Sequence, residues 1–407
     1  MNTKYVIIIP DGCADDPVAS LGNRTPLQAA NLPNMDRVAS LGVVGLSNNV
    51  PASQTPASDV ATLSLCGYDP LKVYTGRAPL ETAAMGIPLG PNDYAIRCNL
   101  VYAPGTMEDF TAGHITSDDG RALIETIQAE LGGKELAGGT LEFHAGVSYR
   151  NILVWRGHSQ ARSVLEGTKC QPPHDVPNQP VEKHLPVGTG REMLVQLMEA
   201  SKPILAKHPT NLKRIAAGQK PATQIWLWGQ GKAPVIEPFE KVYGIQGAMI
   251  SAVDLVRGVG ALMGWKRIDV PGTTGYLDTD YAAKGRYAIS TLKDFDLVCV
   301  HVEAPDEASH EGRADEKVKA LEQIDRHIVG PVLDELRKYP SWKILVEPDH
   351  RTTLASRAHS YGAVPFAVAG SEVSPAGAKA YDEATAAASG LSFDPGYKLM
   401  SWFLGKQ

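Results

Sequence analysis

Residues 4–10 read Lys-Tyr-Val-Ile-Ile-Ile-Pro and run straight into Asp11-Gly12. An apolar, β-branched run without polar alternation has no solvent face, so it suits a strand buried on both sides of a parallel sheet, closed here by a Pro-Asp-Gly turn. Parallel strands need long crossovers, normally helices, and the chain supplies them. Between Pro33 and Gly42, Met35, Val38 and Leu41 recur at helical spacing, with Asn34 placed to cap and Gly42 to terminate. Further apolar strands are expected at 225–228, 295–303, 343–347 and 364–368, alternating with helices at 253–263 and 316–336. In the last helix Val318, Leu321, Ile324, Ile328, Val332 and Leu336 follow in steps of three or four. The pattern predicts an α/β fold with a doubly wound core.

The middle of the chain is different. From about 95 to 220 the strands shorten, Gly and Pro interrupt often, and 166–186 is too polar and Pro-rich for continuous helix. This stretch is expected to be an inserted second α+β domain at 93–221, with the core made of 1–92 and 222–407. A chain of 407 residues accommodates two such bodies comfortably.

Charge and cysteine usage narrow the function. Lys and Arg total 39 against 45 Asp and Glu, a net charge of -6, the wrong sign for a general nucleic-acid binder. Cys13, Cys66, Cys98, Cys170 and Cys299 include no CxxC pair, so neither a disulfide framework nor a zinc finger is indicated, and a reducing cytoplasm fits. The five apolar residues Tyr5–Ile9 are too few for an export signal, and no stretch approaches the roughly 20 apolar residues of a membrane span.

Chemistry-bearing residues gather in the last quarter. Asp306 and His310 are four apart and share one helix face, the adjacent Asp349 and His350 follow a predicted strand, and His359 lies nine residues on. Asp11 stands at the carboxyl end of a parallel strand, the usual ligand edge of a doubly wound sheet. Ser58 falls at the expected N-cap of a helix running to Leu65 and closed by Gly67, beside backbone amides that favour anions. Singly, each has a plain reading as cap, turn or surface residue; together, at strand ends and helix starts, they describe a two-metal site. By contrast Gly258-Val-Gly260-Ala-Leu-Met-Gly264 has GxGxxxG spacing inside a predicted helix, so helix packing is expected there and no dinucleotide. The chain has neither a GxxxxGK[ST] loop nor a GxSxG elbow.

Several longer motifs extend the pattern: Ser58-Asp-Val-Ala-Thr-Leu-Ser-Leu-Cys-Gly-Tyr-Asp-Pro, Tyr74-Thr-Gly-Arg-Ala-Pro-Leu-Glu81, Arg97-Cys-Asn-Leu, Val147-Ser-Tyr-Arg150, Pro172-Pro-His-Asp175 and Pro271-Gly-Thr-Thr-Gly275. With the Asp and His set, the chain resembles over its whole length the cofactor-independent phosphoglycerate mutases of the archaeal type, within the alkaline phosphatase superfamily. The resemblance implies an alkaline-phosphatase-like core in which Asp306, His310 and His359 hold one divalent metal while Asp11, Ser58, Asp349 and His350 hold another. It also implies that Ser58 becomes a transient phosphoserine as 3-phosphoglycerate and 2-phosphoglycerate interconvert, with the inserted domain closing to exclude water. Mixed oxygen and nitrogen donors suit Mn, Co or Zn, and Mg less well. Arg77, His114, Arg150, His174, Asp175, Lys232 and Lys284 are the expected contacts for the phosphate and carboxylate of this small metabolite, since cationic forks suit such groups. Oligomeric state is not legible.

Two positions depart from the pattern: His114 stands where many archaeal relatives carry Arg in Ala-Gly-Arg, and Arg351 where they carry a small residue after Asp-His. Both bear on the acceptor and not on the metal core, leaving two alternatives open: a phosphotransferase for another small acceptor such as homoserine, or a phosphomonoesterase. A non-catalytic binding protein that kept the fold would show metal binding without phosphorylation of Ser58.

Overall fold

A computed structural model describes residues 3–158 and 164–406. The chain divides into two compact units, one of Met1–Tyr74 with Val235–Gln407 and the other of Thr75–Pro234. The divisions fall outside the expected 93–221 insert at both ends, for an identifiable reason. Helix Arg77–Ala84 and the whole of strand Gln224–Lys232 pack with strand Tyr94–Val101, so both belong to the second unit's sheet.

In the first unit an eight-stranded sheet runs in the order Ser392–Phe393, Val43–Ser47, Val364–Gly370, Trp342–Val346, Lys4–Pro10, Leu297–Val302, Gly247–Ile250, Lys266–Arg267. Strand Lys4–Pro10 lies inside it, parallel to both neighbours, with Ile7 opposite Cys299 and Leu345. Val6, Ile7, Ile8 and Ile9 are all fully buried, as a strand covered on both faces requires. Val6 and Ile8 enter a layer with Met35, Val38, Leu321, Ile324, Ile328 and Val332; strand alternation turns Ile7 and Ile9 the other way. Because the three strands are parallel, their carboxyl ends share one edge, which delivers Asp11, Glu303 and Glu347 to the same place.

Two local expectations are corrected. Asn34 does not cap its helix: Leu32 holds the cap position, Pro33 is the first residue of Pro33–Leu41, and Asn34 bonds Asp325 through its N–H (3.0 Å) and its side-chain amide (2.8 Å). Asp325 opens a π turn, Asp325–Val329, which splits the expected 316–336 helix into Ala314–Ile324 and Gly330–Leu336. Gly42 ends its helix because the chain passes so close to strand Val364–Gly370 that a Cβ would lie 1.9 Å from the Val368 carbonyl oxygen. Gly258 and Gly260 lie buried inside helix Asp254–Leu262, as expected for packing and not for a nucleotide loop.

The second unit is a five-stranded antiparallel sheet in the order Glu135–Leu136, Gly139–Val147, Arg150–Gly157, Tyr94–Val101, Gln224–Lys232. Helices Ser117–Leu131 and Arg191–Ala206 cover it through Leu123, Ile127, Leu194 and Leu197, which meet Ile96, Leu100, Leu153 and Trp226. Segment 166–186 forms only two 3₁₀ turns, Pro173–Asp175 and Val181–His184. Among the described residues no helix is long and apolar enough to cross a membrane, and all five cysteines are unpaired.

Candidate metal centre and anion-binding cluster

Three chain segments meet at the carboxyl edge of the first unit's sheet. Asp11 follows strand Lys4–Pro10, Asp349 and His350 follow strand Trp342–Val346, and helix Ala304–Glu311 starts directly after strand Leu297–Val302. That helix carries Asp306 and His310 one turn apart, and a short hairpin, Arg351–Thr353 with Ala358–Ser360, returns His359. Gly12 makes the crossing possible: its φ is +59°, and a Cβ there would lie 2.4 Å from Asp306 Oδ1.

The seven residues form two neighbouring groups. Asp306 Oδ2 lies 3.0 Å from His310 Nε2 and 3.6 Å from His359 Nε2, and those nitrogens are 3.1 Å apart. Around His350 Nε2 stand Ser58 Oγ at 3.1 Å, Asp349 Oδ2 at 3.4 Å and Asp11 Oδ1 at 3.5 Å. The His350 and His359 rings, 4.2 Å apart, join the two.

Ser58 reaches this position because it is not a cap. Ala57 holds the cap position in extended backbone and Ser58 is the first residue of helix Ser58–Leu65, which leaves its hydroxyl for His350. Thr352, which no sequence argument identified, fixes the ring: its Oγ1 donates to Asp306 Oδ1 and lies 3.1 Å from His350 Nδ1. A hydroxyl has one hydrogen, so Thr352 accepts from His350 Nδ1–H and the Nε2 lone pair faces Ser58. Thr352→Val, nearly isosteric, is expected to weaken divalent-metal binding about 10- to 100-fold in a calorimetric titration; unchanged affinity would mean the hydroxyl does not set the ligands.

The electrostatics call for a cation. Burial, then the charges of Asp349, Glu303 and Asp306, raise the Asp11 carboxyl well above the usual range. Burial opposes ionisation of Asp306 too, but hydrogen bonds from His310 and His359 outweigh it and hold that carboxyl well below. The bond to Asp306 in turn raises His310 to about 9. Asp11 Oδ1 and Asp349 Oδ2 are buried without a hydrogen-bond partner, an arrangement that divalent cations satisfy. Asp306, His350 and His359 make one set of ligand atoms within 4.8 Å of one another, and Asp11, Asp349 and His350 make another. The donors therefore fit divalent-cation binding, with His350 common to both sets.

Sequence reasoning also missed His301, Glu303 as a member of the site, and Glu347. His301 lies in an apolar strand and reads as core; its Nε2 is 2.9 Å from Asp11 Oδ2. Burial raises Glu347 to about 8, and its Oε1 accepts from Asn49, whose amide also holds the Asp349 carbonyl. Lys284, expected at the substrate, is 1% exposed in this unit and donates to the His301 carbonyl at 2.8 Å. Arg351 is tied to Asp16.

In the second unit, Arg77, Arg150 and His174 gather about a residue not singled out before, Arg97. It is 4% exposed, pairs with Glu81 at 2.9 Å and stacks over Trp228 at 4.3 Å, while Arg77 bonds the same Glu81 at 3.3 Å. The His174 ring packs on Phe110 and Trp228, with Asp175 3.8 Å away. Its pKa is lowered to about 4 by loss of water in that packing, Asp175 working the other way and Arg77, Arg97 and Arg150 reinforcing it. In an NMR titration His174 is accordingly expected to stay neutral through pH 6 and to gain its proton only near pH 4; a midpoint at the ordinary 6.5 would contradict this. His114 lies elsewhere, on a left-handed turn whose N–H donates to Thr111 Oγ1, and Lys232 ends its strand with Nζ 5.4 Å from the Tyr94 ring.

Comparison with known proteins agrees with this architecture. A family model described as 2,3-bisphosphoglycerate-independent phosphoglycerate mutase matches residues 39–211. The mutase of that name from Methanothrix thermoacetophila is 47% identical over 399 residues, 98% of each chain. A probable one from Geobacter sulfurreducens is 45% identical over 409 residues, 99% of this chain and 100% of that one. Among solved structures, a Pyrococcus horikoshii protein superposes with TM-score 0.82 at 27% identity, covering 100% of this chain and 98% of that one. The cofactor-independent phosphoglycerate mutase of Thermoplasma acidophilum gives 0.67 at 25%, covering 100% and 99%. The chain belongs to the 2,3-bisphosphoglycerate-independent phosphoglycerate mutase family.

Proposed function

We propose that this enzyme interconverts 3-phosphoglycerate and 2-phosphoglycerate without 2,3-bisphosphoglycerate, carrying the phosphoryl group on Ser58 between the two hydroxyls. One observation carries the reading: Ser58 Oγ opens a helix and stands 3.1 Å from His350 Nε2, beside buried carboxylate oxygens that have no other partner. Asp306, His310 and His359 would hold one divalent metal, and Asp11, Ser58, Asp349 and His350 the other. Mn, Co or Zn suits these mixed donors better than Mg. Bound there, such ions lower the pKa of a coordinated hydroxyl and neutralise phosphoryl oxygens.

The chain's own residues do the rest. Ser58 Oγ attacks phosphorus; the bond to the C3 oxygen breaks and the phosphoserine forms. The backbone amides at the start of helix Ser58–Leu65 stabilise the phosphoryl oxygens. Attack by the C2 hydroxyl then breaks the serine ester, and the proton it gives up matches the one the C3 oxygen gained, so no net proton is consumed. Glycerate must stay bound between the two steps, and we assign that task to Arg77, Arg150, His174 and Asp175, with Lys232 as a further expected contact. Unpaired cysteines are in keeping with a cytoplasmic setting.

The test is direct. Metal-loaded protein incubated with 3-phosphoglycerate alone is expected to yield 2-phosphoglycerate, and chelation is expected to stop it. Steady release of inorganic phosphate instead would make it a phosphomonoesterase. Transfer to homoserine without mutase turnover would make it a kinase-like phosphotransferase.

A further inference from the structure

Asp11 is a buried carboxylate with one oxygen occupied and the other open, and the occupied one ends a directed chain of hydrogen bonds. Val253 N–H donates to Ser251 Oγ at 3.1 Å. Ser251 Oγ lies 3.2 Å from His301 Nδ1, and His301 Nε2 lies 2.9 Å from Asp11 Oδ2. The hydrogens can be placed from chemistry. With Asp11 ionised, as a carboxylate that ligates a metal must be, a bare Nε2 lone pair against it would be repulsive, so Nε2 carries the hydrogen and Nδ1 accepts from Ser251, whose other acceptor, the Val253 carbonyl, is farther at 3.5 Å. The direction is therefore Val253 to Ser251 to His301 to Asp11, the last three of them buried. Lys284 Nζ, donating to the His301 carbonyl at 2.8 Å, holds the strand end from which the ring projects.

We propose that His301, oriented by Ser251, is a positioning residue that ties down Asp11 Oδ2 and so presents Asp11 Oδ1 to the metal centre. A carboxylate free to rotate about its Cβ–Cγ bond can offer either oxygen or both. A single strong donor on Oδ2 fixes the plane and leaves Oδ1, 3.5 Å from His350 Nε2 and without a hydrogen-bond partner, as the oxygen on offer. His301 also lies within 4.8 Å of Asp11 and Glu303 in ligand-atom distance, with Glu303 Oε2 3.6 Å from its Nε2, so the competing role for the ring is that of a metal ligand. The Nε2–H tautomer required by Ser251 and Asp11 leaves no lone pair there for that role.

The inference rests on Asp11 being a metal ligand, and the experiment separates the two. Mn is titrated by calorimetry into the wild-type protein and into Asp11→Asn, His301→Leu, His301→Gln and Ser251→Ala. Asp11→Asn is expected to weaken one of two binding events; no change in it would end the metal reading itself. With that control in place, His301→Leu is expected to weaken the same event about 10- to 100-fold, the range typical for residues that orient a ligand. Glutamine keeps an N–H donor near the Nε2 position, so His301→Gln is expected to restore binding to within about threefold of wild type. Ser251→Ala, which leaves the ring in place but unoriented, is expected to fall between and carries the test if His301→Leu does not fold. Turnover of the His301 and Ser251 variants is expected to rise toward wild type at saturating Mn, with the change residing in the Mn concentration needed. Wild-type Mn affinity in both His301→Leu and Ser251→Ala overturns the proposal, as does loss of a whole metal equivalent in His301→Gln, which would make His301 a ligand.

Discussion

Ser58→Ala is expected to lower kcat for phosphoglycerate interconversion by about 10⁴- to 10⁶-fold, the scale seen when a nucleophile that works as part of a unit is removed. Alanine keeps the helix start, because Ser58 is its first residue and contributes no cap, so helix Ser58–Leu65 has no reason to unwind. The loss is therefore chemical. It is read by coupled assay of 2-phosphoglycerate and by incubation with labelled substrate, which should mark the wild-type chain and leave the variant unmarked. Metal binding should persist, since Asp11, Asp349 and His350 remain together in the variant. Turnover within tenfold of wild type would remove Ser58 from the reaction.

Lys317→Met is expected to cost about 3–5 kcal/mol of stability, the usual penalty for stranding one partner of a buried ion pair. Lys317 and Asp15 are both essentially inaccessible, 2.9 Å apart, and Lys317 Nζ also donates to the Thr352 carbonyl at 2.8 Å. Asp15 in turn accepts from the N–H of Leu354 and from that of Asp16. The pair thus ties the loop after Asp11 to the hairpin that carries Thr352 and His359. Adding Asp15→Asn, which keeps an acceptor for Leu354 and removes the charge, is expected to return more than half of the loss. Urea midpoints of the single and double variants decide it; a loss under about 1 kcal/mol for Lys317→Met would show that the pair does not hold these segments together.

The fold was legible where periodicity was strong. Residues 4–10, 295–303 and 343–347 read as buried strands because β-branched runs without polar alternation have no exposed solution, and their parallel pairing follows from the crossovers between them. What local sequence misjudged was set by distant partners. Asn34 looked like a cap until Asp325, nearly three hundred residues away in the chain, claimed its amide. The π turn at Asp325–Val329 keeps the helical period on either side and so leaves no mark in the hydrophobic pattern. The ends of the second unit were misread because strand Gln224–Lys232 is apolar in its first half and so resembles a core strand, while its ladder partner is Tyr94–Val101.

Residue type and spacing alone determined the α/β class and the family resemblance, and singled out the Asp and His candidates with Ser58, because ligand chemistry restricts which side chains serve and helix and strand periods restrict where they point. Only the tertiary structure decided which atoms meet. It placed His301 behind Asp11, Thr352 between Asp306 and His350, and Arg97 under Trp228, each contact joining segments whose separation carries no local signal. A buried histidine in an apolar strand, a threonine in a hairpin and an arginine in a sheet look like packing until the fold brings their partners within hydrogen-bond distance, for hydrogen bonding depends on position in space and not on order in the chain.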